Sequence, residues 1–384
     1  MNEDRIKERL ESDIQILREP EYGYIRAGLP RFPALFGRDS CITAWQLIDY
    51  DISVARDTLE ILARLQGKKV DAAHEEEPGK ILHEWHPHPE EYKKVPWPLP
   101  YYGSVDVTSL FVFLCGLYYE KTRDFKWLER MWPNLEAALE WCERSGDTDG
   151  DMFLDYEQTN PTGLRHKGWK DRHIDHLKIA APVELVEVQG YYYIALRIVA
   201  ILAAVLKKQK LSTQYISRKR ALRDAFIEKF WFPEKSIFAF ALNGKHKADM
   251  RITSNMGHLL FTGILDGKEE MVAALVERLF REDMWTPWGI RTHAQSNPDF
   301  DAASYHLGSV WPHDNWVIAQ GLKRYGYIKE YDEIRGALLR AYETLGDIPE
   351  LYVVRNGSLE RSEISCSPQA WATGALLNFL TQHE

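Results

Sequence analysis

The chain has 384 residues, long for one compact domain but within reach of a single fold built from repeated units. Its 57 acidic residues outnumber 48 basic ones, giving a net charge of −9 and excluding the basic face that a nucleic-acid binder needs. Four scattered cysteines (Cys41, Cys115, Cys142 and Cys366) offer neither zinc spacing nor a secreted disulfide framework.

The first run, amphipathic from about Glu3 to Arg18, resembles neither a signal peptide nor a membrane span, so a soluble cytoplasmic protein without a membrane partner is expected. A loop with AGLPRFPALFGRDS leads into a helix near Asp39, and an amphipathic helix follows from Ile52 to Gln66. A long loop, Lys68 to Gly103, is rich in His, Pro, Glu and Trp. An apolar helix starts near Asp106, and its amphipathic partner spans Phe125 to Arg144. After a long central break, VEVQGYYYIALRIVAILAAVLKK is apolar on nearly all sides and pairs with a polar helix from Thr213 to Phe230. The alternation recurs: an apolar run from about Ser254 with Lys268 to Arg281, a second from Pro312 with Lys329 to Leu345, and a closing run from Pro368. A short strand pair near Ile237 to Leu242 reads as an insertion.

These runs predict twelve helices, six apolar all round and therefore inner, six one-sided and therefore outer. No composition shift marks a linker, so residues 1–384 are read as one all-α domain, a closed (α/α)6 barrel of six helical hairpins with long loops at one end. Each inner helix opens on an unusual motif: GRDS, GSVDVT, VEVQGY, TSNMGH, WPHDN or SPQAW. Parallel inner helices would gather these starts, with their free N–H groups, at one end of the ring. Asp39, Asp106 and Ser367 could each be a helix cap instead. Thirteen Trp and 19 Tyr, many outside helical core spacing (Trp85, Trp97, Tyr101, Tyr102, Trp169, Trp285, Trp288 and Tyr305), suit an aromatic-lined cleft.

The central break, Gly163 to His176, sets Asp171 beside Trp169, Lys170 and Arg172. An indole next to a carboxyl suits a site that stacks on a sugar ring, and burial there would raise the pKa of the acid. A second acid, Glu350, precedes the sixth inner helix, opposite the third in a six-membered ring; Glu360 and Glu363 are alternatives. Two facing carboxyls are the layout of an inverting glycoside hydrolase, with an acid on one side of the bond and a base holding water on the other. Candidate sugar-binding residues are Arg38, Asp39, Tyr102, Asp106, Trp169, Lys170, Glu187, Gln189, Tyr305, Trp311, His313, Asp314 and Trp371. Glu187 and Gln189 could instead belong to a buried polar network.

No cofactor or metal is expected at this site. His83, His86 and His88 lack the helical two-histidine zinc spacing. The alternating Asp147, Asp149 and Asp151 resemble the start of a calcium loop, but the glycine falls in the wrong place for an EF-hand, so a polar turn is preferred.

The motifs FGRDS, GKILHE, PYYGSVDVT, DTDGD, GWKD, VEVQGY, GIRTHA, SYHLGSVWPHDN and SCSPQAWA resemble, in the same order, those of the amylo-α-1,6-glucosidase family, the glucosidase part of glycogen debranching enzymes. The resemblance runs from about Gly28 to the C-terminal region and implies an (α/α)6 barrel that hydrolyses α-linked glucose with inversion. It implies Asp171 as general acid, Glu350 as general base and Asp39 as a holder of the terminal sugar, with a carbohydrate partner, an α-glucan or a small α-glycoside. Arg172 stands where the family commonly has Ser. A relative acting on small glucosides or mannosides, such as a sugar-glycerate, would share the same core. The competing expectations are a sugar epimerase or polysaccharide lyase on this fold and a non-catalytic carbohydrate-binding protein.

Overall fold

The computed structural model describes residues 3–90, 92 and 95–381, so Gln382, at the end of the last expected helix, lies outside the described residues. In chain order its α-helices are α1 (Glu3–Leu17), α2 (Gly37–Gln46), α3 (Ile52–Arg64), α4 (Val107–Thr122), α5 (Phe125–Arg144), α6 (Val186–Val205), α7 (Gln209–Phe230), α8 (Leu259–Thr262), α9 (Glu269–Leu279), α10 (Pro312–Arg324), α11 (Ile328–Leu345) and α12 (Ala370–Thr381).

Amphipathic sequence gives one-sided burial. In α1 only Ile6, Leu10, Asp13, Ile14 and Leu17 are buried, whereas α4 buries every residue from Val107 to Gly116. The apolar α6 is long enough to cross a membrane, yet most of it is buried inside the protein. The even-numbered helices touch one another in a closed sequence, α2 to α4, α6, α8, α10, α12 and back to α2. Outside them lie α1 against α12, α3 against α2, α5 against α4, α7 against α6 and α11 against α10. α9 packs on the 3₁₀ turn Ser254–His258 that precedes α8. The buried apolar side chains of these helices form one contiguous cluster.

Side-chain caps occur on some outer helices, while outer α7, α9 and α11 have none. Outer α3 and α5 have ordinary caps: Asp51 accepts from the N–H of Ser53 at 2.9 Å, and Asp124 from that of Trp127 at 2.9 Å. Inner α2, α4, α6 and α10 have no side-chain cap. Asp39 lies inside α2, Asp106 accepts from Arg38 instead, and Ser367 donates to Asp347, so none of the three caps a helix.

Two sequence expectations change. The inner run from Ser254 is short: five residues of 3₁₀ and one α-helical turn, stopped by Gly263 at φ +77°. The strand pair near Ile237 to Leu242 divides between two sheets. Residues 237–238 pair with 231–232, while 241–243 join a three-stranded sheet with 183–185 and 248–249. The other strands, 35–36 with 84–85, 285–286 with 289–290 and 352–355 with 358–361, are equally short hairpins or bridges. All four cysteines are buried and unpaired.

The inner ring depends on close approach. A Cβ on Gly321 of α10 would come within 2.3 Å of the Leu260 Cβ and 2.8 Å of its backbone on α8. Gly321→Ala should therefore cost about 1–3 kcal/mol in urea unfolding. Gly336→Ala on α11, which would meet only the end of Arg340, should be neutral or stabilising.

Candidate active site

At one end of the ring, the starts of the inner helices and the loops before them enclose a cavity of ≈ 360 Å³. Arg38 and Asp39 come from the first turn of α2, and Trp169, Asp171, Arg172 and His173 from the central break. Tyr305, His306 and Trp311 come from the segment before α10, Glu350 from the turn after α11, and Trp371 from α12. His83 and Glu84, at the strand pairing residues 84–85 with 35–36, and Trp97 complete much of the wall.

Arg38 holds the acidic half together. Its Nη1 donates to both oxygens of Asp106 (3.1 and 2.9 Å), and its Nη2 donates to Asp171 Oδ2. Ser104 donates to Asp106 at 2.8 Å and fixes the far side of this pair. Burial alone would lower the pKa of Arg38, but Asp106, Asp171 and Asp39 raise it, so the guanidinium stays charged.

Glu350 is held from two sides. It accepts from the Tyr305 hydroxyl at 2.5 Å and from the Cys366 N–H at 3.2 Å, while its own N–H bonds the Cys366 carbonyl at 2.9 Å. Burial pushes its pKa up to about 7 against the lowering effect of the tyrosine and backbone donors. Burial likewise raises Asp171 to about 6, opposed by Arg38. The sequence reading gives the raised value to Asp171 and leaves Glu350 ionised; burial raises both, against the Arg38 guanidinium at Asp171 and against the Tyr305 and Cys366 donors and the Arg31 charge at Glu350. Burial, with the nearby charges of Asp171 and Glu350, raises Asp39 well above the usual carboxylate range against the pull of Arg38.

The aromatic part of the wall is tightly knit. His306 stacks on Trp311 with ring centres 5.3 Å apart, and His313 stacks on Trp371 at 3.6 Å. Burial holds His83, His306 and His313 well below the ordinary histidine pKa, so these rings are neutral. The indole N–H groups of Trp169 and Trp371 are buried without a hydrogen-bond partner. At the mouth stand Arg31, exposed and donating to the Ile364 carbonyl, and Arg172, 5.5 Å from the centre of the Tyr305 ring.

Of the residues expected to contact sugar, Arg38, Asp39, Trp169, Tyr305, Trp311 and Trp371 line the cavity with Asp171 and Glu350. Seven others lie outside its lining, each engaged in structure. The Tyr102 hydroxyl donates to the Leu65 carbonyl at 2.6 Å, Asp106 takes Arg38, and Lys170 donates to the Thr292 carbonyl at 2.6 Å. Glu187 accepts from Asn255 at 2.8 Å, and Gln189 clamps the backbone of Leu154 and Leu185. His313 backs Trp371, and Asp314 pairs with His258 at 2.8 Å. The buried-network alternative describes Glu187 and Gln189. Glu360 pairs with Arg355 on an exposed hairpin and Glu363 is exposed, so neither reaches the cavity.

The sequence reading passes over Arg31, His83, Glu84, His173 and His306 as site residues, and takes Arg172 only as a neighbour of Asp171. Glu84 and His306 sit inside the motifs GKILHE and SYHLGS, which carry a usable signal. Glu84, raised to about 7 by burial, accepts from Trp97 Nε1 at 2.9 Å. His86 turns to the His88 backbone, so the three histidines of that loop do not converge.

Residues 33–366 match the family model of the mannosylglycerate hydrolase MGH1-like glycoside hydrolase domain. Among curated proteins, mannosylglycerate hydrolases MGH1 and MGH2 of Selaginella moellendorffii are each 35% identical over 68 residues, a stretch that is 18% of this chain and 14% of theirs. Among solved structures, the GH63 mannosylglycerate hydrolase of Thermus thermophilus shares the fold: in complex with Tris and D-glycerate it is 16% identical, with a TM-score of 0.71 over 97% of this chain and 99% of its own. Its complex with glucose gives 17% and 0.72 over the same shares. The glycosidase part of the sequence resemblance holds, while the specific assignment to amylo-α-1,6-glucosidases gives way to a different family. The chain belongs to the mannosylglycerate hydrolase MGH1-like glycoside hydrolase family.

Proposed function

We propose that this chain is an inverting glycoside hydrolase for a small α-glycoside with an acidic aglycone, of the mannosylglycerate or glucosylglycerate kind, working on one (α/α)6-barrel domain. The observation that carries this reading is the cavity of ≈ 360 Å³ that holds Asp171 and Glu350 and carries Arg31 and Arg172 on its lining. That volume lies at the small end of ligand sites, which run from about 300 to 1,000 Å³, and suits a short glycoside better than a glucan chain. The two guanidinium groups match a carboxylate on the leaving group. Family membership and the D-glycerate complex of the Thermus relative support the same class over glycogen debranching.

In this mechanism Glu350 takes a proton from water as the water attacks the anomeric carbon, and Asp171 gives its proton to the departing glycosidic oxygen. Arg38 then stabilises the Asp171 carboxylate left behind. Asp39 holds sugar hydroxyls, with Trp169 and Trp371 on the same wall. With Asp171 raised to about 6 and Glu350 to about 7, both carboxyls titrate close to neutral pH.

NMR of the first sugar released should show the β-anomer; the α-anomer first would rule out inversion and both assigned roles. Asp171→Asn should lose most activity on natural glycosides and less on activated aryl glycosides, while Glu350→Gln should fail on both. Binding without turnover by the parent protein would instead support a non-catalytic relative.

The pH profile of kcat/KM should be a bell between limbs near 6 and 7. Tyr305→Phe removes a donor that lowers the Glu350 pKa, so one limb of the bell should move to higher pH. A profile with both limbs unmoved would dissociate Glu350 from it.

Arg172→Met should raise KM for a sugar-glycerate by roughly 10- to 100-fold, the loss of one charge-assisted hydrogen bond. KM for methyl α-glycosides should hardly change. Equal loss on both would remove the argument for an acidic aglycone.

A further inference from the structure

Lys170 stands in sequence between two residues of the cavity wall, Trp169 and Asp171, yet it lies outside the cavity lining. Its side chain runs behind the wall into the interior, and only 3% of the residue is exposed. Nζ donates to the Thr292 carbonyl at 2.6 Å and sits 5.1 Å from the centre of the Trp169 ring and 5.6 Å from that of Phe240. An ammonium buried this deeply is unfavourable without hydrogen bonds and opposite charge. Burial lowers the pKa of Lys170, and Asp314 and Glu187 oppose that effect with negative charge. Both acids are fully buried at the starts of inner helices, Glu187 in α6 and Asp314 in α10. Glu187 accepts from Asn255 at 2.8 Å and Asp314 pairs with His258 Nε2 at 2.8 Å, while the second oxygen of each has no hydrogen-bond partner.

The carbonyl that Lys170 grips belongs to a segment tied to the base. The Thr292 hydroxyl donates to the Ser309 carbonyl at 2.9 Å, the Ser309 hydroxyl to the Tyr305 carbonyl at 2.8 Å, and the Tyr305 hydroxyl to Glu350 at 2.5 Å. From the same stretch, His306 Nε2 lies 3.2 Å from the Asp171 carbonyl. A path of hydrogen bonds thus runs behind the cavity from the residue before the acid to the carboxyl of the base.

We propose that Lys170 is a positioning residue for the catalytic pair: it fixes the Asp171 backbone against the segment carrying Tyr305 and so sets how far the acid stands from Glu350. The inference rests on the acid and base roles proposed above for those two residues. Inversion needs a set separation of the carboxyls, roughly 6.5–9.5 Å, so that glycosidic oxygen and water both fit between them. Stability alone asks for no ammonium here, because a well-packed apolar side chain commonly replaces a buried charge without loss. Misplacement of a reacting group by about 1 Å can cost on the order of 100-fold in rate. Lys170 lies outside the cavity, so its loss leaves substrate binding in place and acts on the step that needs the acid.

The test compares two substrates: a sugar-glycerate, whose alkoxide departs only with a proton, and the α-fluoride of the same sugar, whose fluoride departs with little protonation. Lys170→Met should lower kcat on the sugar-glycerate by roughly 10- to 100-fold with KM within about twofold, and lower kcat on the fluoride by less than about threefold. Glu187→Gln keeps the acceptor for Asn255 and removes a charge that favours the Lys170 ammonium, so it should show the same selectivity at smaller size. Asp171→Asn is measured beside them. Selective loss in Asp171→Asn, with equal loss on both substrates or no loss in Lys170→Met, would overturn the role of Lys170 and leave the acid assignment standing. An Asp171→Asn variant without selectivity would overturn the acid assignment and this inference with it. Should Lys170→Met fail to fold by circular dichroism, Glu187→Gln decides by the same comparison. Failure of both to fold would mark the network as structural and overturn the positioning role.

Discussion

The buried guanidinium of Arg38 is the constraint on which the site rests. It starts in the first turn of α2, binds Asp106 at the start of α4, and reaches Asp171 in the central break. Three segments far apart in sequence thus meet on one charge. In an interior this dry the arginine is held by carboxylates on two sides, and loss of either would leave it on the other alone. The same ion pair sets the geometry of Asp171, whose carboxyl is held toward Arg38 while Arg38 is held by Asp106.

Around that charge the protein builds an acidic field inside an aromatic shell. Asp39, Asp171 and Glu350 all feel one another, and all three are shifted upward mainly because indole, phenol and neutral imidazole rings displace water. Keeping His83, His306 and His313 neutral is part of the same design. A charged imidazolium beside these carboxyls would pull their pKa values back down and fix them as anions. The two arginines that do remain free of buried carboxylate partners stand at the mouth, where water still screens them.

Much of this was legible in the sequence, for definable reasons. Helical periodicity sorted inner from outer helices because burial on all sides and burial on one side leave different patterns, as α4 and α1 illustrate. Asp171, Glu350, Trp169 and Trp371 were readable because they sit in motifs at helix starts or in long breaks. What periodicity cannot supply is which way a side chain turns. Gln189 and Glu187 open an inner helix as suggestively as Arg38 and Asp39 do, yet they close hydrogen bonds inside the wall. That burial raises Glu350 as well as Asp171 was equally hidden, since it depends on how the folded chain encloses the turn after α11. The short α8 escaped because Gly263 ends it within a run that is apolar throughout.

The closure of the ring also carries a consequence for how the protein is made. α12 completes the circle against α2: Gln46 Nε2 donates to the Trp371 carbonyl at 2.9 Å, and Asn378 Nδ2 to the Gln46 carbonyl at 2.7 Å, across 325 and 332 residues of chain. Contacts so distant in sequence raise the contact order, which goes with slow folding. During synthesis the early hairpins emerge from the ribosome and pack while Glu350 and Trp371 have yet to be made. Arg38, Asp106 and Asp171 are thus all made long before Glu350, and the cavity lacks one wall until α12 docks.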